Sequence, residues 1–381
     1  MRWGAIARTA PRFGPWLVLA IMGAGLARVG GADDAAPNGA NAKPAANAAN
    51  STTDDEEATN PARPARPLLG RHYWGDVEYF QGWRVQHDVQ SDQFRLIDPE
   101  DAEKVYGSLD QCRQELQKVR HELKLPEMQG DAVILVHGIA RSARSFQKMQ
   151  LHLQQAGFTA FAIDYPSTRV DIPTAAGFLN SVVESMQGVR RIHFVAHSMG
   201  GLVVRAYLAK HQDSRLDRLV MIATPNQRAH LADMFRSNVV YKMAFGPAGQ
   251  QLVGDPDGFL ARLPAPSLPY AVIAGGRGTP EGFNPLIPGD DDGTVSVLST
   301  RLAGAVDFTI LPYKHAYLCE APETFDYTVR FLKEGRLRRD QEPQPISREN
   351  VATAGGKQAS KIQLIGNSEL ARPAAKGKTR R

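Results

Sequence analysis

Ile192-His193-Phe194-Val195-Ala196-His197-Ser198-Met199-Gly200-Gly201-Leu202-Val203-Val204 runs from a buried strand, through one sharp turn, into a helix. The pattern predicts a strand over Ile192–Ala196 and a helix over Met199–His211, leaving only His197 and Ser198 to reverse the chain. A serine at such a turn holds its Oγ above the sheet in a strained backbone conformation. Strand and helix then lie close together, so the positions two before and two after Ser198 have to be small. Gly200 meets that demand, and Ala196 stands where glycine is commoner, at the cost of one methyl. The helix N-terminus also turns N–H groups toward any oxyanion forming at Ser198. The plain alternative is a serine that merely caps a helix.

The flanking sequence repeats the same alternation. Ala132–Val136 is a continuous apolar run, as expected of a parallel strand buried on both faces. Helix signals over Ser145–Ala156, Ala175–Met186 and Thr324–Lys333 alternate with strand signals over Thr159–Ile163, Leu216–Ala223, Ala271–Ala274 and Asp307–Leu311. This is the βαβ rhythm of an α/β fold, a mostly parallel sheet with helices on both faces. Residues 225–269 interrupt it with a stretch rich in Gly and Pro, placed where a lid-like insertion would cover a substrate. Residues 70–129 carry a hairpin signal (Trp83–Val89 and Gln93–Ile97) and a helix signal (Ser108–Leu125); pairing onto the sheet edge is the expected way to bury them. The domain is drawn as residues 70–334.

The two ends differ from this core. The chain of 381 residues has a formal charge of +5, but residues 70–334 are slightly acidic and the excess of bases lies at the termini. Nucleic acid is therefore not an expected partner. Residues 1–32 read as an export signal: Arg2, Arg8 and Arg12 precede the apolar run Pro15–Ala27, and Gly30 and Ala32 suit a cleavage site. Thirteen helical residues reach about 20 Å, short of the roughly 30 Å hydrocarbon core. A cleaved signal peptide leads, with an N-terminal membrane anchor or a plain helix as alternatives, and the expected location is periplasmic, cell envelope or secreted. Residues 33–69, rich in Ala, Asn and Pro, read as a disordered linker, and 335–381 as a basic disordered tail available to an anionic envelope surface. The two cysteines, Cys112 and Cys319, have no metal-ligand spacing. Export leaves a disulfide between them open.

Four motifs occur in order: Val136-His137-Gly138-Ile139 after a strand, Ala196-His197-Ser198-Met199-Gly200-Gly201, Asp292-Gly293-Thr294-Val295, and Lys314-His315 after another strand. Together they resemble the α/β-hydrolase fold, and within it the serine esterases and lipases with an HG-type oxyanion loop. The resemblance spans about residues 130–334. Acyl transfer needs a nucleophile, a base, a group orienting the base, and oxyanion donors. The residues in the order Ser, Asp, His suit Ser198, Asp292 and His315 in those roles. The resemblance picks Asp292 over Asp290 and Asp291 because the family's acid directly precedes a Gly-x-Val element; its two neighbours read as solvated loop acids. It also implies the backbone N–H groups of Met199 and Ile139 as the oxyanion hole, with the His137 and His197 side chains as braces.

The expected activity is hydrolysis of a carboxylic ester through an acyl-enzyme on Ser198. Serine at the elbow argues against haloalkane dehalogenase and epoxide hydrolase chemistry. No dinucleotide or phosphate-loop pattern occurs, so no cofactor and no metal are implied. Ile139, Phe146, Met199, Met234, Phe235 and Phe245 are the apolar candidates for an acyl groove, which makes an ester or lipid-like small molecule the expected substrate partner. An acyltransferase or a glycolipid deacylase (resembling GPI inositol-deacylases) with the same triad, and a non-catalytic binding protein on this fold, are the alternatives.

Overall fold

The computed structural model describes residues 70–348. The readings made for residues 1–32 and 33–69, and for the part of the tail after 348, lie outside the described residues. After a 3₁₀ turn, strands β1 (Trp74–Phe80), β2 (Trp83–Asp88), β3 (Phe94–Ile97) and β4 (Glu103–Gly107) form an antiparallel meander in that order. Gln81 and Gly82 both have positive φ, the two-residue turn whose twist suits a hairpin, and they pair Phe80 with Trp83. Helix α1 (Leu109–Glu122) starts at a capping box between Ser108 and Gln111 and buries Cys112, Leu116 and Val119, which recur on one face.

The second sheet is parallel and six-stranded: β5 (Asp131–Val136), β6 (Thr159–Ile163), β7 (Arg191–His197), β8 (Leu216–Ile222), β9 (Tyr270–Gly275) and β10 (Asp307–Leu311). The spatial order is β10-β9-β8-β7-β5-β6. Both faces are covered, and β5 shows why its sequence does not alternate. Ala132, Ile134 and Val136 enter one apolar cluster, while Val133 and Leu135 enter the other. Helices α2 (Gln147–Gln155), α3 (Ile172–Ser185) and α4 (Met199–Leu208) follow β5, β6 and β7. The insertion after β8 is helical, with α5 (His230–Phe235), α6 (Val239–Gln251, kinked at Gly246) and α7 (Phe259–Arg262). Helices α8 (Val297–Thr300) and α9 (Pro322–Glu334) complete the layers.

Two expectations are corrected, and a third point that was open is decided. The N-terminal hairpin does not extend the edge of the main sheet. Both of its strands are already paired within the four-stranded meander, which covers edge strand β6 and helix α3 with side chains instead. Tyr79 stacks on Phe161 of β6 at 3.5 Å, and Phe178 of α3 fills the space beside Gly75. The domain also continues past 334. Leu337 and Ile346 are buried, Ile346 exchanges backbone hydrogen bonds with Gly304 and Ala305, and residues 337–344 surround the buried Asp307. In the sequence, the charge of this stretch hides two well-spaced apolar anchors, Leu337 and Ile346. Finally, Cys112 and Cys319 are both free and buried, in clusters on opposite faces of the parallel sheet.

Candidate active site

The turn after β7 has the expected form. Ser198 has φ 55° and ψ −128°, a strained combination for a residue with a Cβ, and its N–H is held by the Ile222 carbonyl at 2.8 Å. Gly200 is obligatory: a Cβ there would lie 2.2 Å from the Val136 carbonyl oxygen and 2.6 Å from that of His137. Gly138 brings the loop after β5 close as well, since its Cβ would meet the Ser198 Cβ at 3.0 Å. Ile139 is thus one residue from closest approach to the serine, and Met199 opens α4, where its N–H has no acceptor within the helix. Met199 directly follows Ser198, and Ile139 directly follows Gly138, which approaches the serine.

On the next loops, Asp292 and His315 come together. His315 Nδ1 lies 2.7 Å from Asp292 Oδ2, and the Asp292 side chain is fully buried. Its other oxygen accepts the N–H groups of Thr294 (2.9 Å) and Val295 (2.7 Å), so the carboxylate is fixed before it meets the imidazole. The His315 N–H returns to the Asp292 carbonyl at 2.9 Å. His197, next to the serine, places its ring 4.6 Å from that of His315 and its Nε2 3.1 Å from the His315 carbonyl oxygen. Burial holds His197 well below the usual imidazole range, with the His315 ring adding to the effect, so it is neutral and donates to that carbonyl. His197 therefore links the serine turn to the imidazole loop. No hydrogen bond joins the Ser198 hydroxyl to His315 among the described residues, a contact that commonly tightens only with substrate.

Of the two neighbouring acids expected to be solvated, Asp291 is not, whereas Asp290 is partly exposed. Asp291 is completely buried and accepts the N–H groups of Asn284 and Gly293; burial, the largest effect, raises its pKa. Asp290 accepts those of Arg277 and Gly278. Three consecutive acids thus divide the work of shaping one loop, and only Asp292 reaches the imidazole.

The apolar candidates also separate. Phe146, Met199 and Phe235 are core residues with 0–3% exposure, and Phe146 packs on the sheet face away from the insertion. Ile139 and Phe245 are only partly buried, and Met234 is exposed. Helix α6 lies over the loop after β5, with Gly249 backing onto Ile139 and Phe245. The insertion thus covers the loop after β5.

Sequence reasoning missed the groups that hold this arrangement. Arg205 of α4 is buried with no carboxylate partner among the described residues, and donates to carbonyl oxygens of Asn226, Leu263 and Pro264, at both roots of the insertion. Its signal was a lone charge in the apolar run of α4. The second group, residues 164–167, holds the loop after β5 and has no motif to announce it. Tyr165 donates its hydroxyl to the His137 carbonyl, Ser167 Oγ accepts the Ala140 N–H at 3.1 Å, and Asp164 Oδ1 accepts the Ala143 N–H at 2.7 Å.

Comparison with known proteins agrees with this architecture. The family model described as alpha/beta hydrolase fold matches residues 131–267. The chain is similar to lysosomal thioesterase PPT2 of Homo sapiens, at 26% identity over 207 residues, 46% of this chain and 68% of the relative. Among solved structures it is similar to lipase BlEst2 of Bacillus licheniformis in its propeptide form, at 19% identity and a TM-score of 0.46. That match covers 58% of this chain and 53%, about half, of the lipase. It is also similar to phospholipase PlaB of Legionella pneumophila, at 16% identity and a TM-score of 0.44, over 60% and 62% of the two chains.

Proposed function

We propose, for a chain that has the α/β-hydrolase fold, that it is a serine hydrolase of carboxylic esters working through Ser198, Asp292 and His315. The observation that carries this reading is the buried, pre-bonded Asp292 at 2.7 Å from His315, on loops that His197 ties to the strained Ser198 turn. Ser198 Oγ attacks the acyl carbon while His315 Nε2 takes its proton. Asp292 keeps Nδ1 protonated and stabilises the imidazolium. The N–H groups of Met199 and Ile139 receive the oxyanion. The tetrahedral intermediate then expels the alcohol, protonated by His315, and leaves an acyl group on Ser198. Water, deprotonated by the same imidazole, repeats the sequence and releases the acid. No cofactor enters these steps.

The similarity to a lysosomal thioesterase favours a second reading, a thioester substrate, which the same steps would cleave with a thiol as leaving group. An ester or lipid-like small molecule is the proposed substrate partner. We also place the protein outside the cytoplasm, on the strength of the Arg-flanked apolar run in residues 1–32. Among the described residues, no helix is long and apolar enough to cross a membrane.

A fluorophosphonate probe tests the nucleophile. It should label the full chain once, at Ser198, and Ser198→Ala should be unlabelled and unable to turn over p-nitrophenyl esters. Labelling that survives in Ser198→Ala overturns the assignment. Oxygen esters and thioesters of one acyl chain, compared by kcat/KM with and without an added alcohol acceptor, decide between hydrolysis of the two bonds and acyl transfer.

A further inference from the structure

The meander β1–β4 lies outside the region matched by the hydrolase-fold model, and it meets the catalytic domain through charge as well as through apolar packing. We propose that Arg84, carried by β2, is a positioning residue for the oxyanion loop, acting through Asp164 and Asp101; this rests on the reading of Ser198 as an acyl-transfer nucleophile.

The chain of contacts is continuous. Arg84 is almost buried, with 11% of its side chain exposed, and its guanidinium bridges two carboxylates on different elements. One nitrogen lies 3.3 Å from Asp164 Oδ2, and another pairs with Asp101. Asp164 uses its other oxygen to accept the Ala143 N–H, and that oxygen also faces His137 Nε2 at 3.9 Å. Asp101 uses its other oxygen to hold Arg144 at 2.9 Å. Ala143 and Arg144 begin the 3₁₀ turn that ends the loop carrying Ile139. The backbone of Asp164 is fixed from the same sheet, because Asp76 and Asp164 exchange two hydrogen bonds of 2.9 and 2.7 Å. Residues 164–167 in turn hold the loop at His137, Ala140 and Ala143. Ala140 needs such support, since it has a positive φ of 55°. A planar guanidinium suits this place because its fork reaches both acids at once, which an ammonium cannot do.

Removing that fork should loosen the oxyanion donor on Ile139, whose hydrogen bond strengthens in the transition state rather than in the ground state. In the full chain, Arg84→Met should lower kcat on p-nitrophenyl butyrate by about 10- to 100-fold, the scale of a 1 Å misplacement, with KM within about twofold. An alkyl boronic acid, whose adduct on serine places an oxygen in the oxyanion hole, should lose affinity by the same factor. Arg84→Lys keeps the charge among Asp76, Asp101 and Asp164 and decides the matter where Arg84→Met does not fold. It should show a smaller loss in kcat and boronate affinity, again at constant KM. Wild-type kcat and boronate affinity in folded Arg84→Lys, or a loss confined to KM, overturns the proposal. A wild type that turns over no ester removes the reading beneath it, and the proposal with it.

Discussion

The parallel sheet ends, on one side, in every candidate catalytic group, whereas the antiparallel meander contributes none of them and yet grips the loops that carry them. Ser198 follows β7, Ile139 follows β5, Asp292 lies on the connection after β9, and His315 follows β10. All lie beyond the carboxyl ends of parallel strands, where an open α/β sheet leaves room for a ligand. The meander instead offers Asp76, Arg84 and Asp101, which are paired with other protein groups. One sheet thus presents the candidate catalytic groups, and the other uses its charges to fix geometry. Substitutions of the candidate catalytic groups should act on turnover, and those of the meander's charges should act through stability or position.

The acid loop gives the largest expected separation. Asp292→Asn should fold normally and lower kcat by up to about 10⁴-fold, the loss seen when a triad acid is made neutral elsewhere. Asp291→Asn should do the opposite. It places an amide among backbone donors that its buried carboxylate now satisfies, so it should cost about 1–3 kcal/mol of stability with kcat of the folded protein near wild type. Chemical denaturation and initial rates on a short-chain ester check both. A large loss of kcat at Asp291, with Asp292→Asn active, would move the acid by one position.

The contrast between the sheets is also a contrast in what the sequence discloses. The serine turn was legible because its constraint is local and steric: Gly200 has carbonyl oxygens where a Cβ would be. Strands of the parallel sheet were legible because double burial leaves runs such as Ala132–Val136. The role of Asp291 was not, since three consecutive acids look alike until the fold decides which is buried. The meander was half legible. β2 and β3 carried a hairpin pattern, but nothing in Trp83–Ile97 says that β1 and β4 flank it or that Tyr79 stacks on Phe161. Strand patterning specifies a face, and it leaves the partner strand to long-range packing. Arg84 and Asp164 are 80 residues apart, and no spacing rule connects them.

A second test concerns the far edge of the parallel sheet, which residues after 335 finish as the meander finishes the near edge. Asp307 is buried at the start of β10, and it accepts hydrogen bonds from the backbone of Leu337 and Gln344 and from the side chain of Arg338. A chain ending at Gly335 would strand that carboxylate and expose the pockets of Leu337 and Ile346. Breaking a buried ionic contact costs about 3–5 kcal/mol, before any apolar loss. Such a chain should melt many degrees lower than one ending at Arg348, which should match the full-length protein. Equal melting temperatures would return these residues to the tail.

The smallest expected effect lies in the meander. Asp76 is fully buried, accepts hydrogen bonds from the Gln86 amide and the Asp164 N–H, and has its pKa pushed up to about 6. Burial is the main cause; Arg84 opposes it and the Asp164 carboxylate adds to it. In the unfolded chain an aspartate titrates near 3.9. Between about pH 4 and 6 the native state therefore keeps a proton that the unfolded state has released, so stability from this group falls as pH rises. Its contribution is complete below about pH 4 and lost as pH passes through 6. Acids with depressed values, Asp101 and Asp131 among them, slope the other way, so the whole-protein curve does not isolate it. The difference between two proteins does. Asp76→Asn is neutral throughout, so its melting temperature relative to wild type should rise by a few degrees between pH 4 and 7. A constant difference across that window would mean that Arg84 keeps Asp76 ionised, and that this ion pair outweighs burial where the two sheets meet.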